Sequence, residues 1–290
     1  MNPAGPLADS RHFSHEAMQT TFGLRLRGED ERSARDMAHE CFEWIDVLEA
    51  RLSRFIEDSE ISRINRMRAG ETLYLSEPCH QCLLLALDAH ARTGGLFDIT
   101  LGARIEHRKS GAAGPPPPVT GSLIIHPDVA AVTCIEPGRE IDLGGIGKGF
   151  ALDQLQQILT DWGAEDALLT AGASSMLAFG PSAWPVDLTA AEGSLRLELS
   201  NQSLSASGTG IQGSHIMHPA GDGLLPASRC DRVWVLAPTA ALAEVWSTAL
   251  MLMDPSEIPS FIAEEKPISA VYQEIDGSPA CVMQVSKEHV

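Results

Sequence analysis

A chain of 290 residues, 44% of them hydrophobic, is long enough to bury a substantial core as one large domain or two small ones. Its formal net charge of -18 argues against nucleic acid or an anionic membrane surface as a partner, because phosphate groups are bound by clustered Lys and Arg. No apolar run approaches the roughly 20 residues that span a bilayer, and the opening MNPAGPLADSRHFSHE lacks the parts of a secretory signal, so a cytoplasmic protein with no membrane insertion is expected.

In chain order, residues 1–15 read as a flexible N-terminal segment ahead of one domain over 16–290. Met37, Cys41, Ile45, Leu48 and Leu52 recur at helical spacing and predict an amphipathic helix over 33–52. A second helix is expected over 78–93, ending at Gly94-Gly95. At its start stands Cys79-His80-Gln81-Cys82, with no second C-x-x-C or H-x3-H to complete a zinc site. A redox pair is the functional alternative, and a helix start with Cys82 packed in the core is the simpler reading. Six scattered cysteines do not make a disulfide scaffold. The run GAAGPPPP at 111–118 excludes helix and inner strand and reads as a surface loop of polyproline character.

Val132 to Leu143 reads as a hairpin around Glu136-Pro137-Gly138-Arg139. Strands are expected at 167–170, 195–199, 232–237, 268–274 and 280–286, with an apolar helix over 239–253. Strands and helices mix without a strict βαβ rhythm, which points to α+β.

The glycine-rich stretch Asp142-Leu143-Gly144-Gly145-Ile146-Gly147-Lys148-Gly149 runs into the helix-like FALDQLQQILTDWG. Backbone with so little side chain can approach a phosphate closely, and a helix N-terminus aims its amides at one. The stretch is not a Walker A loop, which needs Gly at 142 and Ser or Thr at 149, nor does it space its glycines as G-x-G-x-x-G. A tight strand-to-helix turn is the plain alternative. Lys148, one of few lysines in an acidic chain, tilts the reading towards an anionic ligand. Glu244 and Thr248 sit four apart and share a helix face. A carboxylate beside a hydroxyl suits a hard cation such as Mg²⁺. An exposed Glu and a Thr bonded back to its own helix would look the same at this stage.

This glycine stretch resembles the DLGGIAKGYAVD motif of the ApbE family, the FAD:protein FMN transferases. In the family's order, Leu52-Ser53-Arg54-Phe55 with Asp58-Ser59-Glu60-Ile61-Ser62-Arg63-Ile64-Asn65 resembles LSxY…DSEISxLN, and Gly95-Leu96-Phe97-Asp98-Ile99-Thr100 resembles GAFDPT. Ser207-Gly208 and His215-Ile216 resemble SG…HHI, and Ala243 to Leu250 resembles ADALATAL. The likeness runs from about residue 16 to the C-terminus. It implies an α+β, T-fold-related mixed sheet with packed helices and a single cleft. It implies FAD as substrate, a protein acceptor with a Ser or Thr hydroxyl, and AMP as the other product.

Residue by residue, the resemblance places Met18 and Phe55 against the flavin and Leu96, Phe97 and Asp98 in the nucleotide wall. Asp142, Gly144, Gly145, Lys148, Ser207 and Gly208 would complete the FAD site. Glu244, Thr248 and the Gly147 carbonyl would hold Mg²⁺. His215 would take the acceptor proton, and Lys148 would stabilise charge on the diphosphate.

The chain departs from the family pattern at several of these motifs. Phe55 stands for Tyr, Gln19 for the glycine of MGT, and Gly172-Ala173-Ser174 for GGD. Ser214 replaces the first His of HHI, His218 an acid, Ala220 an Arg, and Glu244 an Asp. Two other readings follow from these changes: an FAD pyrophosphatase yielding FMN and AMP, and a flavin-nucleotide-binding homologue without catalysis.

Overall fold

Strands whose apolar residues occupy both faces of a sheet need cover on both sides, and this requirement sets the layers of the molecule. The structure is a computed structural model that describes residues 10–208, 219, 231–262 and 267–285. The chain opens with β1 (Arg11–Ala17), β2 (Thr20–Leu26), α1 (Glu31–Leu52), α2 (Glu60–Ile64), β3 (Thr72–Tyr74), α3 (Glu77–Arg92), α4 (Gly102–Lys109), β4 (Ser122–Ile125) and β5 (Ala131–Glu136). After the glycine stretch come α5 (Gly147–Asp161), β6 (Ala167–Ala171), β7 (Ser175–Phe179), β8 (Trp184–Thr189), β9 (Ser194–Leu199), β10 (Gln202–Gly208) and β11 (Arg232–Ala237). The chain continues through α6 (Ala240–Leu250), α7 (Ile258–Ile262), β12 (Ala270–Ile275) and β13 (Ser278–Gln284).

Eight strands form one antiparallel sheet in the order β1-β2-β6-β7-β10-β11-β12-β13. A smaller sheet has the order β3-β5-β4, and β8 pairs with β9 as a ribbon. The α+β class read from the sequence is the class observed. In β11, Val233 and Val235 join the core that includes α5 and α6, while Trp234 and Leu236 join a second core with Trp184, Leu188 and Leu199 of the ribbon. The same alternation sends Leu169 of β6 to the helices and Leu168 to the ribbon.

Helix α1 covers the predicted span 33–52 and begins two residues earlier, at Glu31. Asp30 caps it by accepting from the amides of Arg32 and Ser33 at 2.9 and 3.1 Å, and Met37, Cys41, Ile45, Leu48 and Leu52 are buried along one face. The run 111–118 forms neither helix nor strand. No helix among the described residues is long and apolar enough to cross a membrane.

Two expectations need correction. Residues 11–15 are not a flexible lead-in, because they belong to β1 and pair along its whole length with β2, from Arg11 with Leu26 to Ala17 with Thr20. The hairpin expected over Val132 to Leu143 does not form. Both edges of β5 are already taken by β3 and β4, which leaves no edge for a returning strand. Beyond the Pro137-Gly138 turn, Glu140 instead makes a parallel bridge to Leu101. Ile141 is then held by one side chain: its amide donates to Asn65 Oδ1 at 2.7 Å and its carbonyl accepts from Asn65 Nδ2 at 2.9 Å. That bond pair delivers the chain to the glycine stretch.

Candidate functional site

The glycine stretch is anchored by its apolar residues, since Ile141, Leu143 and Ile146 are buried between glycines that are not. Asp142 works inside the loop. Its Oδ1 accepts the Gly144 amide at 2.7 Å and its Oδ2 the Arg54 guanidinium at 3.1 Å. Arg54 also donates to the Gly102 carbonyl at 2.8 Å and to Glu140 at 3.2 Å, so it fastens three segments at once. Asp142, placed by resemblance against FAD, therefore has its carboxylate committed to holding the loop. Internal bonds also take the Gly147 amide, which donates to the Leu143 carbonyl at 2.8 Å, and the Gly149 amide. Among the described residues, the amides of Gly145 and Lys148 are bonded to no protein acceptor.

Gly149 is required by packing. A Cβ there would lie 2.4 Å from the Ala240 carbonyl oxygen, because the first turns of α5 and α6 pack side by side at this point. Neither backbone can yield cheaply, so Gly149→Ala is expected to cost roughly 2–3 kcal/mol. A urea midpoint unchanged from wild type would refute this packing of the first turns of α5 and α6.

Asp153, one turn further along α5, accepts the Ala240 amide at 2.7 Å and the Ala241 amide at 3.0 Å and so caps α6. Burial pushes its carboxyl up to about 7, against the lowering effect of the two amides and with a small upward push from Glu244. A folded pKa above the unfolded value means that the folded protein holds this proton more tightly. The contribution to stability is therefore complete below about pH 4 and is lost as pH rises to about 7. Asp153→Asn should flatten stability against pH across that window, which urea titrations at pH 5 and 7.5 measure.

Glu244 lies at the centre. It is 4% exposed, and Oε1 accepts the Lys148 ammonium at 2.9 Å and the Ser175 hydroxyl at 2.6 Å, while Oε2 accepts the Gly149 amide at 2.8 Å. One turn along α6, the Thr248 hydroxyl is 3.4 Å from that of Ser207. Ser207 also reaches Ser247 at 2.8 Å, and Ser247 donates to the Glu244 carbonyl at 3.0 Å. A Cβ on Gly145 would stand 3.0 Å from Phe97 and 3.7 Å from the Thr248 hydroxyl, so loop, ring and helix converge there. Phe97 is buried, with its amide donating to Thr93 Oγ1 at 3.0 Å and its carbonyl bonded to His90 at 2.8 Å.

The structure thus brings together Lys148, Glu244, Thr248, Gly145, Phe97 and Ser207. Gly147 is the first residue of α5, and Gly208 ends β10 beside Ser207. Asp98 instead turns to its own loop, accepting the Thr100 amide and hydroxyl, both at 2.7 Å. Leu96 packs, half-buried, against the core. Phe55 is 57% exposed, with the Arg54 and Lys109 cations 5.7 and 5.8 Å from its ring centre. Met18 and Gln19 form the β1-β2 turn with φ of 50° and 57°, a left-handed pair that explains why glycine suits position 19. That turn abuts the Gly172 turn, where a Cβ would meet the Thr20 hydroxyl at 2.5 Å. His215, Ser214, His218 and Ala220 lie outside the described residues.

The donor set fits a hard cation in kind: a carboxylate, a hydroxyl and a backbone carbonyl, all oxygen. No group of three or more His, Cys, Asp or Glu that could hold a metal occurs among the described residues. Glu244 already receives three donors, so an ion bound there must share it or displace one. Cys79 and Cys82 are both buried free thiols. Burial pushes the Cys82 thiol up to about 12, helped by the charge of Glu244, and Cys79 is raised the same way, first by burial and then by Glu60. A separate open cavity of about 400 Å³ is lined by Arg63, Arg66, Met67, Glu71, Thr72 and Leu73, none of them a candidate site residue.

Sequence reasoning missed Ser175, Ser247, Arg54 and Asp153 as parts of this site. Ser175 follows the Gly172-Ala173-Ser174 turn directly, and Arg54 sits inside a quoted motif. Neither shows its partner until the sheet is assembled.

The ApbE family model matches residues 18–272. An FAD:protein FMN transferase of Klebsiella pneumoniae (strain 342) is 24% identical, with the alignment covering 91% of this chain and 84% of that protein. The FAD:protein FMN transferase of Escherichia coli (strain K12) is 23% identical over 86% of this chain and 80% of its own length. Among solved structures, the apo form of Pseudomonas stutzeri flavinyl transferase ApbE superposes with a TM-score of 0.80 at 21% identity, covering 94% of both chains. The flavin transferase ApbE from Vibrio cholerae gives 0.78 at 19% identity, covering 94% of this chain and 96% of that one. At these identities the superpositions establish the fold.

Proposed function

The chain belongs to the ApbE family, and on that premise we propose that it transfers FMN from FAD to a Ser or Thr hydroxyl of an acceptor protein, with release of AMP and dependence on Mg²⁺. The observation that carries this reading is Glu244, a carboxylate 4% exposed, beside Lys148 and one helical turn from Thr248 at the mouth of the glycine loop. Burying a charge there is costly and is offset only by the donors gathered on it. Such an arrangement suits a site that handles charged ligands.

In the proposed reaction the acceptor oxygen bonds to the FMN-side phosphorus, the bond from that phosphorus to the AMP oxygen breaks, and the hydroxyl proton passes to His215. His215 carries this role by resemblance, as does the set of Glu244, Thr248 and the Gly147 carbonyl for Mg²⁺. The ion would supply neutralisation of charge on the diphosphate. Lys148 and the amides of Gly145 and Lys148, which have no acceptor among the described residues, would bind diphosphate oxygens at the start of α5, where the helix dipole favours an anion. Phe97 backs the loop at Gly145, and Phe55 offers an exposed ring face for stacking.

The test is AMP formation from FAD by the purified chain, with and without EDTA and with and without an acceptor peptide. Metal-dependent AMP release supports the reading. AMP release that ignores EDTA removes the metal from it, and AMP formed equally without any acceptor replaces transfer with hydrolysis.

A further inference from the structure

An ionised carboxylate offers about four lone-pair positions, and Glu244 has filled three of them with Lys148, Ser175 and Gly149. Two of these donors are fixed. Ser175 is fully buried in β7, and the Gly149 amide belongs to the first turn of α5, packed against Ala240. Lys148 differs: its side chain is 20% exposed and sits on a flexible four-carbon stem. A divalent ion approaching Glu244 would therefore meet an ammonium already 2.9 Å from Oε1. Two cations on one largely buried carboxylate repel strongly, because the surroundings screen them poorly.

We propose that Lys148 and a divalent cation compete for Glu244 in the flavin-free protein, and that the FAD diphosphate relieves the competition by drawing Lys148 away from the carboxylate. The proposal rests on the diphosphate site described above. It makes Lys148 a positioning residue with two partners, Glu244 before FAD binds and the diphosphate afterwards. It also makes metal and FAD binding mutually favourable through Lys148, since a coupling between two ligands acts equally in both directions. Completion of the metal shell by diphosphate oxygens alone would also couple the two ligands. That simpler coupling leaves the flavin-free metal affinity indifferent to Lys148, whereas competition does not.

The experiment titrates Mn²⁺ into the full chain without FAD and follows the free-ion electron paramagnetic resonance signal, using wild type, Lys148→Met and Lys148→Arg. Lys148→Met should bind Mn²⁺ about tenfold more tightly than wild type, as expected for removal of a nearby like charge. Lys148→Arg, which keeps the charge, should stay near wild type. FAD should tighten Mn²⁺ binding more in wild type than in Lys148→Met. Lys148→Gln, which retains a donor without the charge, gives the same direction should the Met variant fail to fold by circular dichroism. Folded Lys148→Met or Lys148→Gln protein with unchanged or weaker Mn²⁺ affinity overturns the competition. Tightening in these variants, in a protein that proves unable to transfer FMN, upholds the competition and strikes only the proposed function.

Discussion

Thr248→Val is expected to abolish AMP release from FAD and leave the fold intact. The substitution keeps the β-branched shape on α6 and removes one oxygen, whose only neighbour at hydrogen-bonding distance among the described residues is the Ser207 hydroxyl at 3.4 Å. A contact that long contributes little, so the stability loss should stay below about 1 kcal/mol. Turnover should fall by about 100-fold or more if the hydroxyl helps to hold the ion on which catalysis depends. Urea denaturation and chromatographic assay of AMP separate the two effects. Full turnover in this variant rules out Thr248 as a metal ligand.

Glu244→Ala should be among the most destabilising single changes in the chain. It would leave the Gly149 amide and the Ser175 hydroxyl without their acceptor in the interior, and the Lys148 ammonium without its counter-ion. Breaking a buried charge pair from one side costs about 3–5 kcal/mol, more than the loss of any single neutral hydrogen bond. Glu244→Gln retains the shape and one acceptor oxygen, so it should fall between wild type and the Ala variant. A urea midpoint for Glu244→Ala within experimental error of wild type would mean that these three donors do not depend on Glu244.

The fold was legible where a segment's own periodicity matched its burial. Helix α1 declares itself through five apolar residues on one face, and β11 through the apolar run Val233–Ala237, which is buried on both faces of the sheet. The hairpin at Val132 to Leu143 misled because a turn signal reports a reversal and not which edge is free; β3 and β4 had already claimed β5. β1 stayed hidden because Arg11, His12, Ser14 and His15 give an edge strand little apolar alternation.

The site divided the same way. Glu244 and Thr248 were readable as a pair because helix geometry fixes the i,i+4 face. The donors on Glu244 come from Lys148 and Gly149, 95 or so residues away in α5, and from Ser175 in β7, and no local pattern links them. Nothing in the glycine stretch itself distinguishes Gly149 from its neighbours, and its packing against Ala240 depends on the placement of α6. The bond of the Asp142 carboxylate to Arg54 likewise joins positions that no local pattern links.

The most direct measurement of the central claim is the mass of an acceptor peptide with one Ser or Thr, incubated with the purified chain, FAD and Mg²⁺. The account predicts a peptide heavier by one FMN moiety, with AMP formed in equal amount, and no adduct when the hydroxyl residue is replaced by Ala. An unmodified acceptor protein or peptide, across substrates that the curated relatives modify under the same conditions, with FAD bound and no AMP formed, would contradict it and leave a flavin-nucleotide-binding member of the family without transfer.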